Sequence, residues 1–199
     1  MLPEPVLQAF FYYFGIVPAR YSHPEWAAWV GLPFDDYWPF VTSMFLHGGW
    51  LHIIANMWTL WIFGDNVEDR MGHGRFLLFY FGGGIFAALL NSALMPGSPT
   101  PTIGASGAIA AVLGAYAYAY PRAKVLTLVP IFFFFQIIAI PALIVLGIWF
   151  AFQFIAGALS FGAAGGGVAW WAHIAGFVFG FLAMMAMSRK VTSRAEVVD

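Results

Sequence analysis

The sequence predicts an all-α, polytopic membrane protein, that is, a bundle of helices crossing a lipid bilayer. Its composition is the first observation: 62% of the 199 residues are hydrophobic and only 9% are charged, whereas a soluble domain carries about 25% charged residues. The second is that apolar stretches of about 20 residues, the length of a membrane-spanning helix, recur along the chain. The 20% aromatic content also fits, because Trp and Tyr collect at bilayer interfaces.

Five apolar stretches are long enough to be spans, at about 44–64, 76–95, 103–120, 141–160 and 168–188. The stretch 129–140 is also apolar, but it is short and bounded by prolines, which predicts an interfacial or re-entrant segment. Residues 1–43 mix Trp, Pro and acidic residues, and we expect an extracytoplasmic interfacial loop region there. Residues 44–190 are then the transmembrane core, and residues 191–199 a cytoplasmic tail.

Basic residues indicate how the chain is oriented. They follow the first, third and fifth stretches, at Arg70, Arg75, Arg122, Lys124, Arg189, Lys190 and Arg194. The positive-inside rule makes those ends and the C-terminus cytoplasmic, so the chain starts outside. Because residues 1–43 contain no signal peptide, we expect a further upstream helix, giving about five visible spans of six. The expected location is the cytoplasmic membrane of a bacterium.

Several classes of function lack support in the sequence. The chain has no cysteine, which excludes disulfides and thiolate chemistry. His47 and His52 lack a carboxylate or thiolate co-ligand, and there is no HExxH motif, so we expect no metal and no cofactor. A net charge of -1 gives no reason to expect a nucleic-acid partner.

Two polar residues lie inside apolar stretches. Ser106 follows Gly104 and precedes Gly107 at the head of the third stretch, and His173 lies in the fifth. A membrane serine often bonds a carbonyl one turn earlier, and a membrane histidine can relay protons. The flanking glycines, however, leave room for a substrate backbone, and a helix start offers free N–H groups to an oxyanion. All nine acidic residues lie outside the spans, so we predict a Ser106–His173 dyad without a carboxylate.

Further candidates surround this pair. His52 and Asn56 are four residues apart, on one helix face, and either hold the fold or donate hydrogen bonds to an oxyanion. His47 is expected nearer the surface, in a structural role. Gly176 and Gly180 form a GxxxG face that allows close contact between helices.

At these residues the chain resembles the rhomboid family of intramembrane serine proteases. The resemblance covers about residues 40–190 and rests on four motifs in order: HGGWLHIIAN at 47–56, VEDR at 67–70, GASG at 104–107 and AHIAG at 172–176. It implies a compact six-helix core that cleaves transmembrane protein substrates near the outer membrane face.

The resemblance also implies roles for individual residues. Ser106 would be the nucleophile and His173 the base, with His52, Asn56 and the Ser106 N–H as oxyanion donors. The substrate cleft would be lined by Gly104, Gly107, Trp170 and Trp171. Glu68 and Arg70 would be structural, residues 165–167 part of a flexible cap, and the helix from Pro141 a lateral gate.

The chain departs from the family pattern at Ala110, where some members have a tyrosine that stacks on the histidine. The Trp170 or Trp171 ring is then expected to orient His173. Two other functions remain open at this point: an inactive relative that binds transmembrane helices, and a transporter lined by His47, His52 and His173.

Overall fold

The computed structural model describes residues 3–131, 133–160 and 169–195. The order of elements is α1 (Glu4–Phe14), α2 (Pro18–Ser22), α3 (Pro24–Trp29), α4 (Pro39–Thr42), a 3-10 turn (Ser43–Phe45), α5 (Trp50–Met71), α6 (His73–Leu94), α7 (Ser106–Ala119), β1 (Lys124–Ile131), β2 (Phe134–Pro141), α8 (Ala142–Ser160) and α9 (Trp170–Ala195). The protein is therefore a helical membrane bundle, as its sequence predicts, with one two-stranded ribbon added.

Among the described helices, α6, α8 and α9 are long and apolar enough to cross a membrane. The helix α7 is apolar but has only 14 residues. The helix α5 has 22 residues, and its last two turns carry four charged side chains, Asp65, Glu68, Asp69 and Arg70. The predicted five spans thus correspond to five helices of the described residues, α5 to α9, of which three have the length and composition of a full crossing.

The first predicted span is displaced along the chain. It was expected at 44–64, but α5 runs from Trp50 to Met71. Gly48 and Gly49 interrupt the helix at its start, and Gly72 follows its end with φ 80°, a conformation that favours glycine. The last helix is also longer than expected, because α9 continues to Ala195, into the segment predicted as a tail.

The segment 129–140, predicted to be interfacial or re-entrant, belongs to an antiparallel hairpin. Lys124 pairs with Pro141 at its open end, and Ile131 with Phe134 next to the turn. Its residues are mainly β-branched or aromatic, which favours strands, and Pro130 is tolerated because a two-stranded ribbon has only edge strands. The strand Phe134–Pro141 is exposed over almost its whole length.

The core of the bundle is the contact between α7 and α9. Every residue from Ala108 to Ala117 on α7 is buried. A Cβ added at Gly176 would collide with the carbonyl oxygen of Gly107, and one at Gly180 with that of Ala111. Both glycines therefore bring the two helix backbones into direct contact, as the GxxxG pattern predicts.

The N-terminal region folds against the loop that precedes α7. The fully buried guanidinium of Arg20 donates to the carbonyl oxygens of Pro33 and Tyr13 and pairs with the Asp36 carboxylate at 3.1 Å. The residue before Arg20 reaches the loop directly, since the Ala19 N–H donates to the Ser98 carbonyl at 3.0 Å.

Candidate active site

Ser106 is the first residue of α7, and the loop before it is held on both sides. Ile16 and Thr102 exchange two backbone hydrogen bonds, at 3.0 and 2.7 Å, and the Gly104 N–H donates to the Ser43 carbonyl at 2.9 Å. Gly104 has φ 120°, which a residue with a side chain rarely adopts. The N-terminal region thus fixes the backbone from which the Ser106 side chain projects.

Ser106 and His173 are in hydrogen-bond contact. The Oγ of Ser106 lies 2.8 Å from Nε2 of His173, although the residues are 67 positions apart in sequence. The contact joins the first residue of α7 to the first turn of α9, across the tight helix pair described above. A hydroxyl at this distance from an imidazole nitrogen can transfer its proton to that nitrogen.

The other ring nitrogen of His173 contacts a residue that our reading of the sequence missed. Nδ1 of His173 lies 2.7 Å from Oε1 of Gln153, on α8. The ring of Trp149 is 6.0 Å away at a tilt of 36°, and that of Trp170 is 6.4 Å away and edge-on. His173 is therefore held by a hydrogen bond to α8, with the Trp170 ring edge-on to it.

Gln153 carried a signal in the sequence. It is the one polar residue in the apolar stretch 142–159, and buried polar groups in membrane helices mark functional positions. The prediction of a dyad rested on the absence of a carboxylate from the spans, but an amide oxygen can accept the same hydrogen bond.

Two other residues expected at the cleft lie in helix contacts. A Cβ added at Gly107 would be 2.9 Å from the Ala87 side chain, so Gly107 packs against α6 and α9. Trp171 faces α8, where its ring pairs with Phe154 at 6.3 Å and contacts Gly157. Gly104 does lie beside Ser106, while the predicted cap at 165–167 falls outside the described residues.

His52 lies on the same side of the loop as the serine. The N–H of Gly48 donates to Nδ1 of His52 at 3.3 Å, so in the neutral ring the proton is on Nε2. A Cβ added at Gly104 would be 2.8 Å from that Nε2 and 3.7 Å from the Ser106 Oγ. The His52 ring and the Ser106 hydroxyl therefore both border Gly104.

Asn56 is one turn further along α5 and is buried. Its amide donates to the His52 carbonyl at 2.9 Å. Since an amide group carries two N–H donors, this bond uses only one of them. His52 and Asn56 thus lie on one face of α5, as predicted, and the Asn56 side chain is hydrogen-bonded to the backbone of His52.

His47 lies before α5 begins, in contact with His52. The two rings are 5.1 Å apart and edge-on. Burial, followed by the coulombic effect of His52, lowers the pKa of His47 from its usual value. His47 thus contacts the His52 ring from a position outside α5.

Glu68 and Arg70 lie at the opposite end of α5. The Glu68 carboxylate is 2.6 Å from Nδ1 of His73, at the start of α6. The Arg70 guanidinium lies over the Tyr120 ring at 5.8 Å, and the Tyr120 hydroxyl donates to the Asn66 carbonyl at 2.7 Å. These contacts join the ends of α5, α6 and α7 far from Ser106.

Comparison with known families places this geometry in context. A model of the Rhomboid domain matches residues 35–190, more than three quarters of the chain. The chain belongs to the rhomboid family. The residues described above, from Ser43 to Gly180, fall inside the matched segment, and the protein is an integral, multi-pass membrane protein.

Relatives in the rhomboid family occur in bacteria and in mitochondria. The chain is 41% identical to the rhomboid protease GluP of Bacillus subtilis over 83 residues, which is 42% of this chain and 16% of that protein. It is 34% identical to presenilin-associated rhomboid-like protein A, mitochondrial, of Danio rerio over 113 residues, 55% of this chain and 30% of that one. It is 28% identical to rhomboid protein 1, mitochondrial, of Saccharomyces cerevisiae over 165 residues, which is 78% of this chain and 43% of that protein. Each match spans less than half of the relative's length.

Proposed function

We propose that this protein is an intramembrane serine endopeptidase that cleaves transmembrane protein substrates near the outer membrane face. The observation that carries the proposal is the 2.8 Å contact between Ser106 Oγ and His173 Nε2. A serine hydroxyl is a weak nucleophile until an adjacent base takes its proton, and the contact supplies that base. The names of protease relatives, such as GluP, support the same class of reaction.

In the proposed reaction, Ser106 Oγ attacks the carbonyl carbon of the scissile peptide bond while its proton moves to His173 Nε2. The carbonyl oxygen becomes an oxyanion, and collapse of the tetrahedral intermediate breaks the C–N bond. His173 then gives its proton to the leaving amine. A water molecule, deprotonated in its turn by His173, hydrolyses the acyl-enzyme and restores Ser106.

The length of α7 supports chemistry below the membrane surface. Its 14 residues span about 21 Å, less than the roughly 30 Å thickness of the hydrocarbon core. The C-terminal end of α7 is followed by Arg122 and Lys124, which favour the cytoplasmic interface. Ser106, at the other end, then lies several ångströms beneath the outer surface.

The orientation and the membrane belong to the same proposal. The basic residues beside α5, α7 and α9 favour a cytoplasmic C-terminus. We propose the cytoplasmic membrane of a bacterium, since one relative, GluP, is a protein of the bacterium Bacillus subtilis. Reporter proteins fused after Asp199 test this orientation: a phosphatase that is active only outside the cytoplasm should stay inactive there.

The first test replaces Ser106 by Ala in the full chain, in detergent, with a transmembrane substrate and a fluorophosphonate probe. Ser106→Ala should abolish both cleavage and labelling without lowering the melting temperature. His173→Ala should be similarly inactive, and the double variant hardly worse, since members of one catalytic unit are not additive. Ser92→Ala is the matched control, because the Ser92 hydroxyl is buried on α6 without a hydrogen-bond partner among the described residues.

Two results would overturn the dyad. One is measurable turnover by a sequence-verified Ser106→Ala protein. The other is a double variant whose loss is the product of the two single losses. A wild-type protein that folds and binds transmembrane helices but neither cleaves nor labels would favour an inactive relative instead.

We also propose His52, Asn56 and the Ser106 N–H as donors to the oxyanion. Such donors act mainly in the transition state, so Asn56→Ala should lower kcat by about 10- to 1000-fold with little change in KM. Its bond to the His52 carbonyl should add little to stability, since membrane hydrogen bonds average about 0.6 kcal/mol. Kinetics and thermal unfolding in one detergent measure both quantities.

The matched control for Asn56 is Asn91→Ala, a buried asparagine on α6. It should leave kcat unchanged. If Asn56→Ala lowers the melting temperature while its folded fraction turns over normally, Asn56 serves the fold and not the oxyanion.

A further inference from the structure

The contact of Gln153 with His173 is the most distinctive polar feature outside the predicted dyad. Gln153 is 5% exposed on a helix whose buried positions form one narrow stripe: Ala142, Leu146, Gln153 and Gly157. A polar side chain in such a stripe is costly unless it is hydrogen-bonded. Its oxygen is bonded, at 2.7 Å, to His173 Nδ1.

This contact has a chemical consequence for the histidine. An amide oxygen has no proton and can only accept, so the neutral His173 ring must carry its proton on Nδ1 to make the bond. The lone pair is then on Nε2, the nitrogen that lies 2.8 Å from Ser106 Oγ. In the opposite tautomer Nε2 would be protonated, and it could not accept the serine proton.

We propose that Gln153 is a positioning residue that fixes the tautomer and the orientation of His173, so that the site is a Ser106–His173–Gln153 chain. The proposal rests on the proposed function of Ser106 and His173. Ala110 itself cannot place an aromatic ring against the imidazole, and Gln153 supplies a hydrogen bond that orients it. The role matches that of the acidic member in soluble triads, which orients the histidine.

A neutral amide suits this position better than a carboxylate. The described part of α8 exposes large apolar side chains, among them Leu143, Ile148, Phe152 and Ile155, as expected of a helix facing lipid. An ionised carboxylate buried there would need a charged partner in a medium that solvates charge poorly. The amide offers the same acceptor without a net charge.

The test compares two substitutions in the full-length protein in detergent. Gln153→Met keeps the length of the side chain and removes the acceptor, whereas Gln153→Glu keeps a carbonyl acceptor oxygen in its neutral, protonated form, the form that burial among apolar side chains favours. We expect Gln153→Met to lower kcat by 10- to 100-fold with KM unchanged, and Gln153→Glu to recover most of that loss. Leu146→Met, in the same buried stripe, is the matched control and should keep the wild-type kcat.

A spectroscopic measurement needs no substrate. The ¹⁵N chemical shifts of the His173 ring, assigned by the signal that His173→Ala removes, report which nitrogen is protonated. The wild-type ring should be protonated on Nδ1, and Gln153→Met should shift the population towards Nε2.

Three outcomes would overturn the proposal: a wild-type kcat in Gln153→Met, equal losses in the Met and Glu variants, or an unchanged tautomer in Gln153→Met. If the wild-type protein neither cleaves nor labels, the proposed function fails, but the tautomer of His173 still decides the role of Gln153.

Discussion

His173 has one hydrogen-bond partner on α7 and another on α8, and these two helices are packed in different ways. On α7, all ten residues from Ala108 to Ala117 are buried, and glycines bring its backbone against that of α9. On α8, only four of the described residues are buried: Ala142, Leu146, Gln153 and Gly157. Bulky apolar side chains are exposed on the rest of its surface. The position of Ser106 relative to His173 is thus held by contact between helix backbones, whereas the position of Gln153 relative to His173 is held by contacts between side chains.

The difference indicates that the fold holds the Ser106–His173 distance more firmly than the His173–Gln153 distance. Backbone atoms cannot rotate away from a contact as side chains can, so a tight helix pair resists displacement. The Ser106–His173 distance is set across the α7–α9 pair, while α8 meets α9 through side chains such as Trp171 beside Gly157. If α8 is the lateral gate that the family resemblance implies, a displacement of that helix would also move Gln153.

The largest effect should follow from a methyl group between α7 and α9. A Cβ at Gly180 would overlap the Ala111 carbonyl oxygen, and the helices must separate to admit it. Overpacking costs about 1–3 kcal/mol and occasionally more, and we expect Gly180→Ala at the upper end, with cleavage lost as the Ser106–His173 contact opens. Thermal unfolding and fluorophosphonate labelling in detergent measure the two effects.

The control for this substitution is Gly147→Ala on α8. A Cβ at Gly147 has no atom within 4 Å, so the methyl group meets open space and should leave labelling unchanged. If the Gly180→Ala protein has the same labelling and melting temperature as the Gly147→Ala protein, the contrast between the helices is wrong. In that case α7 and α9 tolerate separation.

The parts of the site that were predictable from sequence are those with a local signature. Ser106, between Gly104 and Gly107, and His173, three residues before Gly176, were recognisable because small residues and a polar group stand out in an apolar stretch. The fold class followed from composition, since so few charged residues cannot solvate a surface.

The remaining features depend on contacts between distant segments. The pairing of Gln153 with His173 joins two helices, and no local pattern specifies that an amide will take the place of a carboxylate. The hairpin itself was not predicted, because a short apolar run does not distinguish strand from helix by periodicity. The start of α5 was placed six residues early, because the apolar composition of Met44 and Phe45 hid the break at Gly48 and Gly49.

The smallest effect should come from a methyl group between α8 and α9. A Cβ at Gly157 would lie 3.2 Å from the Trp170 Cβ and 3.3 Å from Cε2 of Trp171, so its neighbours must give way by only a few tenths of an ångström, far less than at Gly180. Alanine also favours the helix by up to about 1 kcal/mol over glycine, which offsets part of the strain. Gly157→Ala should therefore change stability by less than about 1 kcal/mol and cleavage by no more than a few-fold. The same unfolding and labelling assays, with Gly147→Ala as the control, measure both effects. A loss as severe as that of Gly180→Ala would contradict the comparison. It would mean that α8 is held as rigidly as α7 and that Gln153 cannot move away from His173.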